Sequence, residues 1–171
     1  MKRPNNGIPL GLTRAPRLIL CFVLVFTVSC GPPGESASGV RAATDAIQQQ
    51  IAKYTAALDA ADINLASQVW LMSPEVSFIH PAGHQHGWEQ VKEVYTFFGS
   101  SFSERTLTVR DVSVHVNVDT AWAEFYWHFS AKQRYNGSPL QTDGRETQVY
   151  RKVGNRWLLV HVHYSGPPKS P

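Results

Sequence analysis

Side chains that can transfer protons share one face of a predicted strand in the middle of the chain. A strand over residues 120–130 places Glu124, Tyr126 and His128 on the same side, beside Trp122. A carboxylate or imidazole that is shielded from water next to a tyrosine hydroxyl can move a proton at neutral pH. Glu124 and His128 would lie about 13 Å apart along the strand, so they could flank one ligand without touching each other. We take Glu124, Tyr126 and His128 as candidates for acid–base catalysis.

Other catalytic classes have little support in the sequence. Cys21 and Cys30 are the only cysteines, and both precede the predicted domain, which excludes thiol nucleophiles, disulfides and cysteine metal ligands from it. The chain also has no Gly-x-Ser-x-Gly nucleophile elbow and no phosphate-binding loop. We expect no cofactor, and the sequence leaves open whether the protein is an enzyme.

Histidines are grouped in two places and raise the question of a metal site. His80, His84 and His86 lie within seven residues of one another, and His161 and His163 share a strand face. Imidazole would suit zinc or copper. His84 and His86 belong to a glycine-flanked segment that we predict as a loop, however, and we expect no bound metal.

The opposite face of the 120–130 strand is apolar throughout. The mixed face combines aromatic and ionisable groups, as the wall of a small-molecule pocket does, and we predict that it lines one. An apolar face left in water is unfavourable, so we expect the other side to be covered by a second copy of the chain in a homodimer. The predicted dimer face comprises Phe125, Trp127, Phe129, Leu159, His161 and His163.

The elements that would position these side chains follow in a clear order. Apolar residues recur at helical spacing from Ile47 to Leu58, after a cap at Thr44 or Asp45. A short helix over 63–70, a strand over 76–80 and a helix over 88–98 follow. The period then changes to two, which predicts strands over 107–116, 120–130, 142–152 and 157–165.

Helices that all precede an antiparallel meander must pack on one side of it. We therefore predict an α+β fold, a cone-shaped α+β barrel in which the N-terminal helices pack in a curved, mostly antiparallel sheet. The last two strands are joined by Gly154-Asn155, a pair suited to a two-residue hairpin loop. The final strand is apolar on both faces, which predicts a central position in the sheet.

Two features of the sequence carry a family resemblance. The element order, and the segment Phe78-Ile79-His80-Pro81 before the third helix, resemble the SnoaL-like branch of the nuclear-transport-factor-2-like superfamily. Residues 146–168, which include Glu146-Thr147-Gln148-Val149-Tyr150, are similar to the end of the association (hub) domain of calcium/calmodulin-dependent protein kinase II. No kinase or calmodulin-binding segment is present, so the likeness is to a fold that bacteria use as a free-standing domain.

The hub resemblance implies where the pocket residues lie. Basic pocket residues of the hub correspond to His128, Gln148 and Tyr164 here, and because the hub's arginines are absent we do not expect a small carboxylate as ligand. Members of the superfamily commonly dimerise sheet to sheet. The predicted pocket comprises Trp122, Glu124, Tyr126, His128, Gln148, Tyr150, Tyr164 and His80.

The first 30 residues are predicted as an export signal. Lys2 and Arg3 open the chain, and the apolar run over 18–28 is too short to remain as a membrane-spanning helix. The sequence before Cys30 resembles a bacterial lipobox, in which the cysteine is acylated and anchors the protein to a membrane of the cell envelope. Ordinary cleavage to a soluble secreted or periplasmic protein is the alternative. We expect a signal over 1–30, a flexible tether over 31–42 and a domain over 43–168.

The charge of the predicted domain excludes one class of partner. The formal +3 of the chain includes four basic residues of the leader, and residues 31–171 carry 12 Lys and Arg against 13 Asp and Glu. We therefore expect no nucleic-acid binding.

Three functions remain open. The first is an exported domain that binds a small apolar or aromatic ligand in a conical pocket. The second is an isomerase, cyclase or dehydratase that uses the pocket histidine, glutamate and tyrosine. The third is a dimeric interaction module without a functional pocket.

Overall fold

The computed structural model describes Met1 and residues 36–166, and the predicted lipidation site Cys30 lies outside the described residues. The helices are α1 (Ala37–Ala60), α2 (Ile63–Val69) and α3 (Gly87–Ser101). The strands are β1 (Ser77–His80), β2 (Gly83–His86), β3 (Phe102–Asn117), β4 (Thr120–Gln133), β5 (Pro139–Val153) and β6 (Arg156–Ser165). Within this part of the chain, no helix is long and apolar enough to cross a membrane.

The strands form one sheet in the order β2–β1–β6–β5–β4–β3. The last four strands of the chain make the predicted antiparallel meander, and β1 pairs with β6 in parallel. The sheet is curved and does not close, and the predicted α+β class with N-terminal helices is confirmed.

The β5–β6 hairpin forms around the predicted two-residue loop. Val153 pairs with Arg156, which leaves Gly154 and Asn155 between them. Gly154 has a φ of 60°, and a positive φ at the first loop residue is typical of a type II′ turn. Strand β6 lies between β5 and β1, as its apolar sequence predicts.

Helix α1 lays its apolar stripe on the inner face of the sheet. The buried hydrophobic side chains along this stripe are Ala43, Ile47, Ile51, Tyr54, Ala57 and Leu58, at the helical spacing seen in the sequence. Gln50 is buried as well, and its Nε2 donates a 3.0 Å hydrogen bond to the backbone carbonyl of Trp157. This bond ties the middle of the helix to β6.

The end of α1 is fixed to β3. Ala61 has a φ of 53° and ends the helix in the left-handed conformation. Nε of Arg105 donates to the backbone carbonyl of Asp59 at 2.9 Å, and the Asp59 carboxylate accepts from the backbone N–H of Leu107 at 2.7 Å. Because both groups come from the start of β3, they fix the position of the helix on the sheet.

Strand β3 has two irregularities in its pairing with β4. They lie around Glu104 and Asp111, whose φ values are 51° and 55°. Bulges of this kind bend a strand and increase its twist. Both lie along the edge strand that packs against α1, where the sheet must curve round the helix.

The first helix is longer than its sequence pattern predicts. It begins at Ala37, and the hydroxyl of Ser36 accepts a 3.1 Å hydrogen bond from the backbone N–H of Gly39 as a cap. Residues 37–42 are thus helical, whereas we predicted a flexible tether. The apolar period begins only at Ala43 because the preceding turns are largely exposed and make no core contact.

Strand β2 was predicted as a loop. It pairs with β1 in an antiparallel hairpin, with His84 opposite Ile79 and His86 opposite Ser77. Its residues are mostly exposed, so no apolar alternation marks it in the sequence, and backbone pairing defines the strand.

Candidate active site

A cavity of about 640 Å³ lies between the inner face of the sheet and helices α1 and α3. This volume is in the range of small-molecule sites in proteins. Pro81, Ala82, Glu93 and Phe97 border the cavity and are exposed, which places its opening between the β1–β2 turn and α3.

Aromatic rings make up most of the cavity wall. The aromatic lining residues are Tyr54, Phe78, Phe97, Phe98, Phe102, Trp127, Phe129 and Tyr164. Phe98, Phe102 and Phe129 meet edge to face, with centroids 5.3 to 5.8 Å apart. Trp127 is perpendicular to Tyr164 at 5.5 Å. Aromatic pairs prefer such geometry, so the rings support one another as a wall.

One carboxylate lies among these rings. Glu146 on β5 lines the cavity and is only 5% exposed. Nε2 of Gln148 donates a 2.6 Å hydrogen bond to Oε1 of Glu146, and the hydroxyl of Tyr150 donates to Oε1 of Gln148. Residues two apart on a strand share a face, so these side chains form one inward-pointing chain along β5.

Burial decides the protonation of this carboxyl group. It raises the pKa of Glu146 to about 7, although hydrogen bonds from Gln148 and Tyr54 act in the opposite direction. Burial, and then the charge of Glu146, also raise the pKa values of Tyr54 and Tyr164, so both hydroxyls remain protonated at neutral pH. Glu146 can therefore exchange a proton near neutral pH.

His80 presents a hydrogen-bond donor at the cavity. Its ring stacks on Tyr164, with centroids 5.9 Å apart and planes 12° apart. The backbone N–H of Ala82 donates to Nδ1 of His80 at 3.3 Å, so the neutral imidazole carries its proton on Nε2.

Two polar atoms of lining residues have no hydrogen-bond partner among the described residues. They are Nε1 of Trp127 and Oε1 of Gln85. Buried polar groups are rarely left unpaired, and a ligand with polar atoms could satisfy both. Gly144 makes room for the indole, because a Cβ there would lie 2.4 Å from Cζ2 of Trp127.

The predicted pocket face of β4 lies on the outside of the sheet. Trp122 and Tyr126 are 39% and 42% exposed, and Glu124 is exposed beside them. Nδ1 of His128 lies 2.8 Å from the carboxylate of Asp143 on the same surface. None of these residues lines the cavity, so the prediction of a pocket and catalytic candidates on this face was wrong.

Strand pairing explains the error. Residues directly opposite each other in an antiparallel pair share a face, and Gln148 lies opposite Ala123 whereas His128 lies opposite Asp143. Ala123 and Gln148 are fully buried on the inner side. His128 is an odd number of residues from Ala123, so it must point outward and cannot share a pocket with Gln148.

The predicted dimer face is mostly the inside of the domain. Phe125, Trp127, Phe129 and Leu159 are buried in the core of a single chain, and Trp127 and Phe129 line the cavity. They are therefore not available to a partner, and this prediction was wrong for them.

A bulge separates the two histidines of that predicted face from Leu159. Val149 pairs with His161 and Tyr150 with Leu159, so β6 has one extra residue at this point. Beyond the bulge Val162 is buried, whereas His163 is exposed. His161 is half-buried and hydrogen-bonds the hydroxyl of Ser77 at 2.7 Å.

Part of the predicted pocket lies at the cavity. His80 and Tyr164 line it. Gln148 and Tyr150 are buried beside it and are connected by hydrogen bonds to Glu146, which lines it. Glu146 itself was missed as a site residue. It is two residues before Gln148 on the same strand, so the alternation that selected Gln148 and Tyr150 would also have selected it.

The grouped histidines do not combine into a metal site. His84 and His86 lie with ring centroids 3.7 Å apart on β2. Within residues 36–166, however, no group of three or more His, Cys, Asp or Glu side chains is placed to hold a metal ion.

The elements that enclose the cavity match a known family. A model of the SnoaL-like domain matches residues 47–169, from α1 to the end of the sheet. The chain belongs to the SnoaL-like family. The predicted resemblance to this branch of the nuclear-transport-factor-2-like superfamily is thus confirmed.

Several solved structures have the same fold. A superfamily member from Salmonella enterica serovar Typhimurium is 43% identical over 77% of this chain and 96% of its own, with a TM-score of 0.74. A candidate dehydratase from Streptomyces avermitilis is 19% identical over 75% of this chain and 99% of its own, with a TM-score of 0.68. A candidate scytalone dehydratase from Novosphingobium aromaticivorans is 13% identical over 78% and 89%, with a TM-score of 0.70.

Among curated proteins, no significant match to the sequence is found. Domains with the SnoaL-like fold typically bind small ligands or act as isomerases or dehydratases. The similarity of residues 146–168 to the kinase hub domain stays a prediction.

Proposed function

We propose that this SnoaL-like domain binds a small apolar or aromatic molecule in the cavity between α1, α3 and the sheet. The observation that carries the proposal is the combination of a cavity of about 640 Å³, a wall of aromatic rings and one buried carboxylate. Apolar walls with few polar groups are typical of small-molecule sites, in which the polar groups fix the orientation of the ligand.

Binding of 2-naphthol, a neutral fluorescent aromatic, tests this proposal. We expect saturable binding to the wild-type chain and its loss in Leu140→Trp, because Leu140 lines the cavity and the larger side chain would fill it. Val153→Trp, an exposed position away from the cavity, is the matched control and should bind as the wild type does. Equal binding by both variants would place the probe elsewhere and contradict the proposal.

Acid–base catalysis is the second candidate function, and Glu146 is the observation that favours it. A carboxyl group whose pKa burial raises to about 7 can accept and return a proton at neutral pH. His80 could donate a hydrogen bond through Nε2 to an oxygen atom of the molecule with which Glu146 exchanges the proton. This pair replaces the catalytic candidates that lie on the outer face.

Hydrogen exchange on a model ketone tests catalysis without knowledge of the substrate. We expect the wild-type chain to accelerate deuterium incorporation next to the carbonyl of 2-tetralone, followed by NMR. Glu146→Gln should abolish the acceleration, whereas Glu124→Gln on the outer face should not. If the wild type does not accelerate the exchange, the proposal of acid–base catalysis on enolisable ketones is contradicted. The proposal of ligand binding is unaffected by this result.

Export and lipid anchoring are proposed from the leader sequence. The charged start, the short apolar run and the lipobox-like sequence before Cys30 support them. Replacing Cys30 with Ser should move the protein from the membrane fraction to the soluble fraction of the envelope. Unchanged membrane fractionation would contradict acylation at this residue.

A homodimer remains a proposal, with a different surface from the one predicted. Aromatic side chains on the outer face of the sheet support it, since Trp122 stacks on His115 at 4.8 Å and Tyr126 lies under the guanidinium of Arg110 at 4.5 Å. If a variant that is folded but monomeric no longer supports the activity of the protein, dimerisation is required for that activity. This result would favour the third candidate function, a dimeric interaction module.

A further inference from the structure

The charged groups that line the cavity are acidic. Glu146 lies at its buried end and Glu93 at its exposed border. Within residues 36–166, no lysine or arginine lines the cavity, and His80 is the only lining side chain that can become cationic. An anionic ligand would therefore meet carboxylates without a permanent positive charge to offset them.

Within residues 36–166, Glu146 also has no positively charged partner. The groups that act on it are Tyr54 from α1 and Gln148 from β5, both as hydrogen-bond donors. Burial, and after it the charge of Glu146, raise the pKa values of Tyr95 from α3, Tyr150 from β5 and Tyr164 from β6. Buried carboxylates are usually paired with a cation or kept protonated, and no side chain among these supplies the cation.

The walls suit a cation as well. The face of an aromatic ring is negative, and a cation within about 6 Å of its centroid is attracted to it. Aromatic cages that combine several rings are a known means of holding ammonium groups. Here three rings, Tyr54, Trp127 and Tyr164, belong to the same lining as Glu146.

We propose that the ligand of this cavity is an organic cation, an ammonium group on an apolar or aromatic body, with the ammonium group beside Glu146. This inference rests on the proposed ligand-binding function and names its ligand class. The aromatic rings of Phe98, Phe102 and Phe129 would hold the apolar body, and the unpaired Oε1 of Gln85 could accept a hydrogen bond from an N–H of a protonated amine. Small carboxylates are excluded as ligands because they would meet the carboxylates of the lining without a permanent positive charge to offset them.

Three probes of similar size separate the contribution of charge from that of shape. Phenyltrimethylammonium and tert-butylbenzene differ by a quaternary nitrogen in place of a carbon, and benzoate has the opposite charge. Their binding to the purified full chain is measured by displacement of 2-naphthol at about pH 8, where Glu146 is mostly ionised. We expect phenyltrimethylammonium to bind about tenfold more tightly than tert-butylbenzene, and benzoate to bind least.

Variants then assign the preference to the carboxylate. Glu146→Gln should reduce the preference for the cation to about threefold or less while tert-butylbenzene still binds. Glu124→Gln on the outer face is the matched control and should keep the full preference. A preference unchanged in Glu146→Gln would overturn the role of this residue.

Calorimetry of the wild type keeps the test independent of whether the variant folds. Phenyltrimethylammonium has no proton to lose, so a proton released to the buffer at about pH 6.5 must come from the protein. Comparing the heat of binding in phosphate and in the zwitterionic buffer ACES, which differ in enthalpy of ionisation, should show release with the cation and none with tert-butylbenzene. Binding of the cation without proton release would count against contact with Glu146.

The outcomes also separate this inference from the proposed function. If tert-butylbenzene binds as tightly as phenyltrimethylammonium or more tightly, the cavity binds apolar molecules and the inference of a cation fails alone. If neither probe displaces 2-naphthol and 2-naphthol does not bind in the cavity, both the inference and the proposed function fail.

Discussion

Nε2 of Gln148 lies 2.6 Å from Oε1 of Glu146, and this contact determines the direction of a buried hydrogen-bond chain. Because the amide nitrogen faces Glu146, the amide oxygen faces Tyr150 and accepts from its hydroxyl. Every donor in the chain thus points toward the carboxylate. The chain supports ionisation of Glu146, whereas burial opposes it, and the balance leaves the pKa of Glu146 at about 7.

Stability should fall as the pH rises through the range in which Glu146 loses its proton. Its pKa is about 7 in the folded chain against an ordinary value of 4.5, so the folded state binds more protons between these values. The contribution of Glu146 to the free energy of unfolding is therefore fully present below pH 4.5. It is lost as the pH rises through about 7. The free energy of unfolding should decrease by about 3 kcal/mol across this window.

Urea unfolding of the wild type and Glu146→Gln from about pH 4.5 to 8 measures this effect. The difference between the two proteins isolates Glu146, because Asp59, whose pKa burial also raises, is present in both. Glu124→Gln should follow the wild-type curve. Parallel curves for wild type and Glu146→Gln would show that the carboxyl group titrates normally.

Removing the hydroxyl of Tyr150 should destabilise the domain without opening the cavity. Tyr150→Phe leaves Oε1 of Gln148 buried without a donor, which costs about 1 to 3 kcal/mol. Tyr135→Phe, at a side chain that is 83% exposed, should change stability by less than about 0.5 kcal/mol. Thermal and urea unfolding of both variants check the comparison, and equal effects would mean that the buried bond contributes nothing.

The sequence predicts most of the fold because the signals that define it are local. The helical period of α1, the alternation of β3 to β6 and the Gly154-Asn155 loop are each defined by residues close together in the chain. Strand β2 has no such signal, since its polar residues are held by pairing with β1. The start of α1 is hidden for a similar reason, because Ser36 caps it before any residue reaches the core.

The site is harder to predict because alternation sorts residues into faces without saying which face is inside. Trp127 and Phe129 were assigned to a partner chain and instead line the cavity. The register between Ala123 and Gln148, which decides the question, depends on the pairing of distant strands. The bulge that separates Leu159 from His161 is equally invisible in the sequence.

Replacing Gly144 should damage the cavity wall. A Cβ at this position would lie 1.9 Å from the carbonyl oxygen of Ser165 and 2.4 Å from the indole of Trp127. Since one of these contacts is backbone, the strand itself would have to move, and we expect Gly144→Ala to lose about 3 kcal/mol or more. Gly83→Ala is the control, because its nearest contact would be an ordinary 3.6 Å. Similar unfolding midpoints for the two variants would contradict this account.

Breaking the outer aromatic face should separate the proposed dimer without unfolding the chain. Trp122 is 39% exposed and stacks on His115, so Trp122→Glu places a charge at the centre of this face while leaving the core intact. Light scattering during size-exclusion chromatography at micromolar concentration should give twice the mass of one chain for the wild type and a single mass for Trp122→Glu. Tyr135→Glu places the same charge in the exposed segment between β4 and β5 and should remain dimeric. If Trp122→Glu is also dimeric, the partner binds elsewhere, and a wild type with the mass of one chain would remove the homodimer altogether.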